Sequence, residues 1–91
     1  MNRRVASEIA EETLSTVMKK SQQEIKDLFD NAEHEFINKY GTEYQVRVSA
    51  FYDDRENKII RVIVTVDDQK FWSTLMPLSR SDLYYEKNKN R

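Results

Sequence analysis

The first forty residues carry apolar side chains at helical spacing. Small and apolar residues recur at steps of three or four, first in one stripe and then in a second stripe of the same period. The first stripe comprises Ala6, Ile9, Ala10, Thr13, Leu14 and Val17. The second comprises Ile25, Leu28, Phe29, Ala32, Phe36 and Tyr40. The pattern predicts an N-terminal helical arm over 1–20 and a main helix over 21–40.

A run of six polar residues separates the two stripes, which are rotated from each other by about a quarter-turn on a helical wheel. Ser21 and Glu24 have the spacing of a capping box, in which each side chain binds the backbone amide of the other residue. We therefore favour two helices that meet at a break, with one long helix exposed at its middle as the alternative. Gly41 follows Tyr40, and glycine adopts the left-handed conformation of a helix C-cap without a steric penalty. The main helix is expected to end there.

From Tyr44 onward, apolar and polar residues alternate, which is typical of a strand with one buried face. The alternation predicts a β-meander over 43–76, with strands at 44–52, 58–67 and 71–76. Burial of one face selects the register of the first two strands, because a slip of one residue would expose every apolar side chain. With a five-residue loop, the predicted pairs are Ala50 with Ile60, Val48 with Val62, Val46 with Val64, and Tyr44 with Val66.

The tail at 77–91 begins with a proline, and Ser79 and Asp82 again have the spacing of a capping box. We therefore expect a short C-terminal helix. The predicted fold class is α+β, with an N-terminal helix or two-helix segment packed on a three-stranded antiparallel meander. The length of 91 residues is that of a single domain.

Composition excludes several kinds of site. The chain has no cysteine and one glycine, which excludes disulfides, thiol chemistry and glycine-rich phosphate-binding loops. A formal net charge of −1 disfavours a dedicated nucleic-acid binder. No apolar stretch reaches the length of a membrane span, and no apolar segment typical of a signal peptide follows the N-terminal arginines. We expect a cytoplasmic protein with no membrane association.

Catalytic and metal-binding residues are not expected. His34 lies with Asp27 and Asp30 on the polar side of the predicted helix, but a metal site needs three or four ligands, so we interpret this histidine as solvated. The carboxylates of the predicted turns are interpreted as solvated as well, namely Asp53, Asp54, Glu56, Asp67 and Asp68. Because no base lies near a nucleophile, we expect no enzyme, no cofactor and no metal.

One candidate interface is the sheet face that the helix leaves uncovered. It combines aromatic, aliphatic and arginine side chains, as protein interfaces do. The candidate interface residues are Arg47, Phe51, Ile59, Arg61, Ile63, Trp72, Tyr84 and Tyr85. Depending on the second turn, this face takes either Phe71 and Leu75 or Trp72 and Met76. An equal alternative is that the tail or the first helix folds over this face.

A second candidate surface is acidic, because residues 5–43 hold nine acidic and four basic side chains. On the predicted main helix, one exposed face would collect several of these charges. Its residues are Glu24, Asp27, Asp30, His34 and Glu35.

These features favour a non-enzymatic protein-interaction domain, such as an adaptor, an inhibitor or an immunity-type regulator, which forms a homodimer and binds a partner protein. The alternative is a nucleic-acid-binding domain, because the predicted α-β-β-β-α order resembles the double-stranded-RNA-binding fold. The resemblance implies phosphate binding by a lysine cluster at the start of the last helix. The corresponding stretch, Leu78–Asp82, holds one base and one acid.

Overall fold

The computed structural model describes residues 2–70 and 76–87 of the protein, which form two helices followed by a four-stranded antiparallel sheet. The strands lie in the sheet in chain order, as a meander. The predicted α+β class, two-helix segment and antiparallel meander are confirmed, whereas the predicted count of three strands is wrong. The elements are α1 (Arg3–Met18), α2 (Gln22–Asp27), β1 (Glu33–Lys39), β2 (Thr42–Asp54), β3 (Ile59–Asp67) and β4 (Leu78–Tyr85).

Helix α1 begins where the sequence provides a cap. The Asn2 side chain accepts hydrogen bonds from the backbone amides of Arg4 and Val5 at 3.1 and 3.2 Å, which satisfies two of the amides that a helix start leaves unpaired. Ala6 and Ala10 are fully buried, and the helix packs on β3 and β4. The small side chains in the first stripe therefore bring the helix backbone close to its own sheet.

The predicted break between the helices is confirmed, and so is the capping box that follows it. The Glu24 amide donates to Ser21 Oγ at 3.2 Å, and the Ser21 amide donates to Glu24 Oε1 at 3.3 Å. Helix α2 buries Ile25, and Leu28 is buried just beyond its end.

The main helix predicted over 21–40 is wrong beyond Asp27. The chain leaves the helix through turn hydrogen bonds, including the Asn31 amide to the Asp27 carbonyl oxygen at 3.2 Å, and Asp and Asn favour turns. The segment Glu33–Lys39 then becomes β1 and pairs with β2 along its whole length. Hairpin pairing with β2, whose residues alternate between apolar and polar, overrides the helical spacing of Phe36 and its neighbours.

Gly41 lies in a two-residue hairpin turn between β1 and β2, so its predicted role as a helix C-cap is wrong. Tyr40 and Gly41 have φ angles of 52° and 79°, and Lys39 pairs with Thr42 on either side of them. Positive φ at both central residues is the signature of a type I′ turn, whose twist matches that of the paired strands. The glycine thus adopts the left-handed backbone conformation that was expected of it, but it does so in a hairpin turn and not at the end of a helix.

Strands β2 and β3 form the centre of the sheet and bury one face against the helices. Val48 pairs with Val64, and Val46 pairs with Val66. The predicted face is therefore confirmed, but the predicted register is wrong by two residues. The ladder extends to Tyr52 opposite Ile60 and has an irregularity between Tyr52 and Asp54. A shift of two residues keeps the same side chains on the same face, because the side-chain period of a strand is two, so burial alone does not distinguish the two registers.

The C-terminal helix expected after Pro77 is wrong, because Leu78–Tyr85 forms β4 beside β3. A free edge of β3 offers its backbone amides and carbonyls to this segment, and these ladder bonds outweigh the local capping pattern of Ser79 and Asp82. The predicted third strand at 71–76 lies outside the described residues, except for Met76. The α-β-β-β-α order is not observed among the described residues, so the resemblance to the double-stranded-RNA-binding topology is lost.

A hydrogen-bonded cluster attaches the end of β4 to α2. Lys26 Nζ lies 2.7 Å from Glu86 Oε1, and Tyr52 Oη donates to Glu86 Oε2 at 3.0 Å. The hydrogen bond from Lys26, followed by the one from Tyr52, lowers the pKa of Glu86, although burial opposes this. The hydrogen bond to Glu86 raises the pKa of Lys26. The ring of Phe29 meets that of Tyr52 edge-on, with centroids 4.9 Å apart.

The hairpin turn predicts opposite effects of two substitutions. Gly41→Ala lowers the free energy of unfolding by about 1 kcal/mol, because alanine is strained at positive φ. No atom lies within 4 Å of the added Cβ, so the loss is a backbone effect. Tyr40→Asn raises the free energy of unfolding by about 0.5 kcal/mol, because asparagine tolerates the left-handed region better than tyrosine. Urea unfolding of both variants measures the difference, and equal stabilities would contradict the turn type.

The Glu86 cluster predicts an acid-dependent loss of stability. A carboxyl group whose pKa is lowered by folding stabilises the protein above its unfolded pKa, and the contribution disappears as pH falls through the folded pKa. For Glu86 this window lies below the ordinary value of 4.5. Glu86→Gln should lower the free energy of unfolding by about 1 kcal/mol at pH 7. The variant should also lose less stability than the wild type between pH 5 and pH 3, which urea unfolding across this range checks.

Candidate interaction surface

The two faces of the sheet differ in what covers them. Helix α1 packs on β3 and β4 from one side, and the buried valines of β2 and β3 lie on that side. On the opposite side, the outer face, no described helix or strand packs. The register determines which residues lie on the outer face. They are the odd-numbered residues of β3, of β4 and of most of β2, and the even-numbered residues of β1.

Part of the outer face is an apolar cluster, which we name the outer patch. Phe51 lies opposite Arg61, which lies opposite Leu83. Ile59 pairs with Tyr85 in the neighbouring row. Phe51 is 47% exposed and Tyr85 is 63% exposed. Aromatic side chains stabilise a protein most when they are buried, so these two are unusual for their exposure. The outer patch consists of Phe51, Ile59, Arg61, Ile63, Leu83 and Tyr85.

Arg61 lies at the centre of the outer patch and is held in place by two neighbours. Its Nε donates to Asp53 Oδ1 at 2.9 Å, and one terminal nitrogen donates to Ser81 Oγ at 2.9 Å. Asp53 sits at the irregularity between Tyr52 and Asp54, where the strand bends. The Arg61 side chain remains about one-third exposed. The patch therefore presents a positioned planar cation among apolar side chains, a combination that interface hot spots favour.

Arg47 extends the outer face beyond the patch. It lies four residues before Phe51 on β2, about 13 Å along the strand, and it is exposed. Its partner across the ladder is His34 on β1. No ion pair or hydrogen bond of the Arg47 side chain occurs within the described residues. The outer face therefore carries a second arginine besides Arg61, one whose side chain has no partner among the described residues.

Besides Arg47, two further residues of the predicted interface are not placed in the outer patch. Tyr84 pairs with Ile60 and packs partly buried against the core, so it lies on the helix-covered face and not with the outer patch. The predicted tail helix left the direction of Tyr84 undefined, whereas β4 alternates its side chains between the faces. Trp72 lies outside the described residues, as do Phe71 and Leu75. Leu83 was missed, although its two-residue spacing from Tyr85 is a strand signal.

The acidic residues predicted to share one helical face do not share one surface. Glu24 and Asp27 belong to α2, where Glu24 completes the capping box and Asp27 accepts from Gln23 at 2.9 Å. Asp30 lies in the following turn. His34 and Glu35 are neighbours on β1 and point to opposite faces of the sheet. The predicted acidic helix face is therefore wrong, because β1 replaces the second half of that helix.

A groove lies between α1 and β1, because α1 covers β3 and β4 but not β1. It has a volume of about 320 Å³, with Val46 and Val48 among its lining residues. Glu12 from α1 and Glu35 from β1 also line it. Lys20 and Glu33 line it as well, and Lys20 Nζ lies 3.3 Å from Glu33 Oε1. Within the described residues, no group of three or more histidine, aspartate or glutamate side chains could hold a metal ion.

No family model, curated protein or solved structure matches the chain. In the part of the chain that the structure describes, neither helix has the length and apolar character that a membrane span requires. A cytoplasmic location stays a prediction from the sequence.

The assignment of the two faces predicts different effects of the same substitution at adjacent positions. Ile60 is fully buried, so Ile60→Ala should lower the free energy of unfolding by about 3 kcal/mol. Ile59 points to the partly open outer face, so Ile59→Ala should lower it by about 1 kcal/mol. Both substitutions remove the same atoms and the same strand preference. Chemical denaturation of the two variants measures the difference, and equal losses would mean that the outer face is covered.

Proposed function

We propose that the protein is a non-enzymatic interaction domain that forms a homodimer and that its outer patch binds a partner protein. The observation that carries this proposal is the outer patch itself, an apolar cluster around a positioned arginine on a sheet face that no described element covers. A patch of this kind is unfavourable in water unless a partner buries it. An adaptor, an inhibitor or an immunity-type regulator would act by such binding alone.

The chemistry of the outer face specifies the kind of partner surface. A partner that fits the outer patch needs an apolar centre and a hydrogen-bond acceptor for the Arg61 guanidinium. The Arg61 side chain keeps about one-third of its surface exposed. To pair with Arg47, the partner also needs a carboxylate about 13 Å from the point that contacts Phe51. A protein surface with an apolar centre and an acidic edge meets both conditions.

The position of the lone histidine supports a function without catalysis. His34 lies on the outer face opposite Arg47. None of the hydrogen bonds among the described residues joins its imidazole to a hydroxyl group that it could activate as a nucleophile. The side chains of the outer patch are suited to binding, since they offer apolar area and hydrogen-bond donors.

The test is a comparison of two tagged variants in quantitative affinity capture from the native cells, followed by titration of the purified partner. Phe51→Ser removes an exposed aromatic ring from the outer patch and should weaken binding by at least tenfold, because central aromatic residues dominate interface energies. Tyr40→Asn removes an exposed aromatic ring from the hairpin turn, outside the patch, and serves as the matched control.

Circular dichroism and urea unfolding verify that both variants fold. Loss of the same captured protein with Phe51→Ser, but not with Tyr40→Asn, would support the proposal. Partners that bind both variants as tightly as the wild type would contradict it.

A further inference from the structure

The sheet has two edge strands, β1 and β4, and an edge strand presents backbone amides and carbonyls that can pair with another strand. These two edges are not equivalent. The edge of β4 is partly occupied by its own side chains. The Ser79 carbonyl accepts from the Arg80 guanidinium at 2.9 Å, and the Leu83 amide donates to Asp82 Oδ1 at 2.8 Å. Arg80 is also bound to Ser7 of α1 at 3.1 Å.

The edge of β1 has no such protection within the described residues. The two-residue turn makes Lys39 and Thr42 a hydrogen-bonded pair, and hydrogen-bonded pairs alternate along an antiparallel ladder. The amides and carbonyls of His34, Phe36 and Asn38 therefore point away from β2, towards the open edge. No hydrogen bond to these backbone groups occurs in the described part of the chain. The Phe36 side chain is 57% exposed.

The charges along β1 are complementary to those of the same strand running in the opposite direction. Glu33 and Glu35 stand near its start and Lys39 at its end, and all three side chains lie on the same face of the sheet. If a second copy pairs antiparallel with Phe36 at the two-fold axis, Glu33 faces Lys39 of the second copy, and Lys39 faces Glu33 of the second copy. This register also places the two Phe36 rings beside each other on the outer face.

We propose that two copies of the chain pair through the free edges of β1, centred on Phe36, to form one continuous eight-stranded sheet. The inference rests on the self-association in the proposed function and names the strand that carries it. The outward backbone groups of His34, Phe36 and Asn38 supply the hydrogen bonds in this register. Glu33 keeps about half of its side chain exposed, so it can contact Lys39 of the second copy while it contacts Lys20.

This arrangement has a consequence for partner binding. A two-fold axis perpendicular to the sheet preserves its faces, so both α1 helices lie on one side and both outer patches lie on the other. The dimer therefore presents two copies of the outer patch on one surface. A partner with two matching sites would bind the dimer more tightly than the monomer, because the first contact raises the effective concentration for the second.

The test uses two charge reversals, Glu33→Lys and Lys39→Glu, studied separately and as a mixture by sedimentation equilibrium. Each variant alone places like charges opposite each other at both ends of the interface and should weaken dimerisation by at least tenfold. In the mixture, the two lysines of the first variant meet the two glutamates of the second, one pair at each end. Heterodimers should therefore form with an affinity near that of the wild type. Arg4→Glu is the control for Lys39→Glu, because it makes the same change of charge at a side chain that is 90% exposed and lies on α1.

Amide hydrogen exchange gives a second measurement that depends on the edge itself. With rising protein concentration, the amides of His34, Phe36 and Asn38 should become protected, whereas the amides of Glu35 and Ile37 are already paired with β2 and should change little. A strict monomer at millimolar concentration would overturn the proposal. So would a dimer that both charge reversals leave intact, or one that Phe51→Ser alone dissociates, which would indicate pairing through the outer patch. Partner capture that depends on Phe51 tests the proposed function independently of either outcome.

Discussion

The fully buried side chains of Val62, Val64 and Val66 lie beneath α1, and the positions of the other elements follow from this contact. These branched side chains share one face because they occupy every second residue of β3. A helix of 16 residues covers only part of a four-stranded sheet. Because α1 covers β3 and β4, the helix side of β1 is left as the wall of a groove.

The same contact determines which surfaces are available for binding. Residues that alternate with the buried valines must point away from α1, and this places Ile63, Arg61 and Phe51 together on the outer face. The central strands satisfy their backbone groups on both sides, whereas β1 and β4 each satisfy one side. Two surfaces therefore lack a covering or pairing element among the described residues. They are the apolar side chains of the outer patch and the outward backbone groups of β1. The proposed role of the outer patch rests on its exposed apolar area, and the proposed role of β1 rests on its unpaired backbone hydrogen-bonding groups.

Much of the candidate interface could be predicted from alternation alone. Arg47, Phe51, Ile59, Arg61 and Ile63 share a face in any antiparallel pairing of β2 and β3 that buries the valines, so the two-residue error in register left this set unchanged. Tyr84 was different, because its face depends on whether the tail forms a helix or a strand. The prediction of an acidic helix face was wrong for the same reason, because it required a helix over 21–40 and the helix ends at Asp27.

The chain by itself determined α1, the capping box at Ser21 and the two central strands, because their periods, caps and turn residues agree with one another locally. It did not determine the conformation of residues 33–39 and 78–85. These segments have local patterns compatible with helix, and Gly41 suits a helix C-cap as well as a type I′ turn. Only the tertiary structure decided between them, because the edges of β2 and β3 offered these segments backbone hydrogen bonds to another strand, which the pattern within either segment does not reveal.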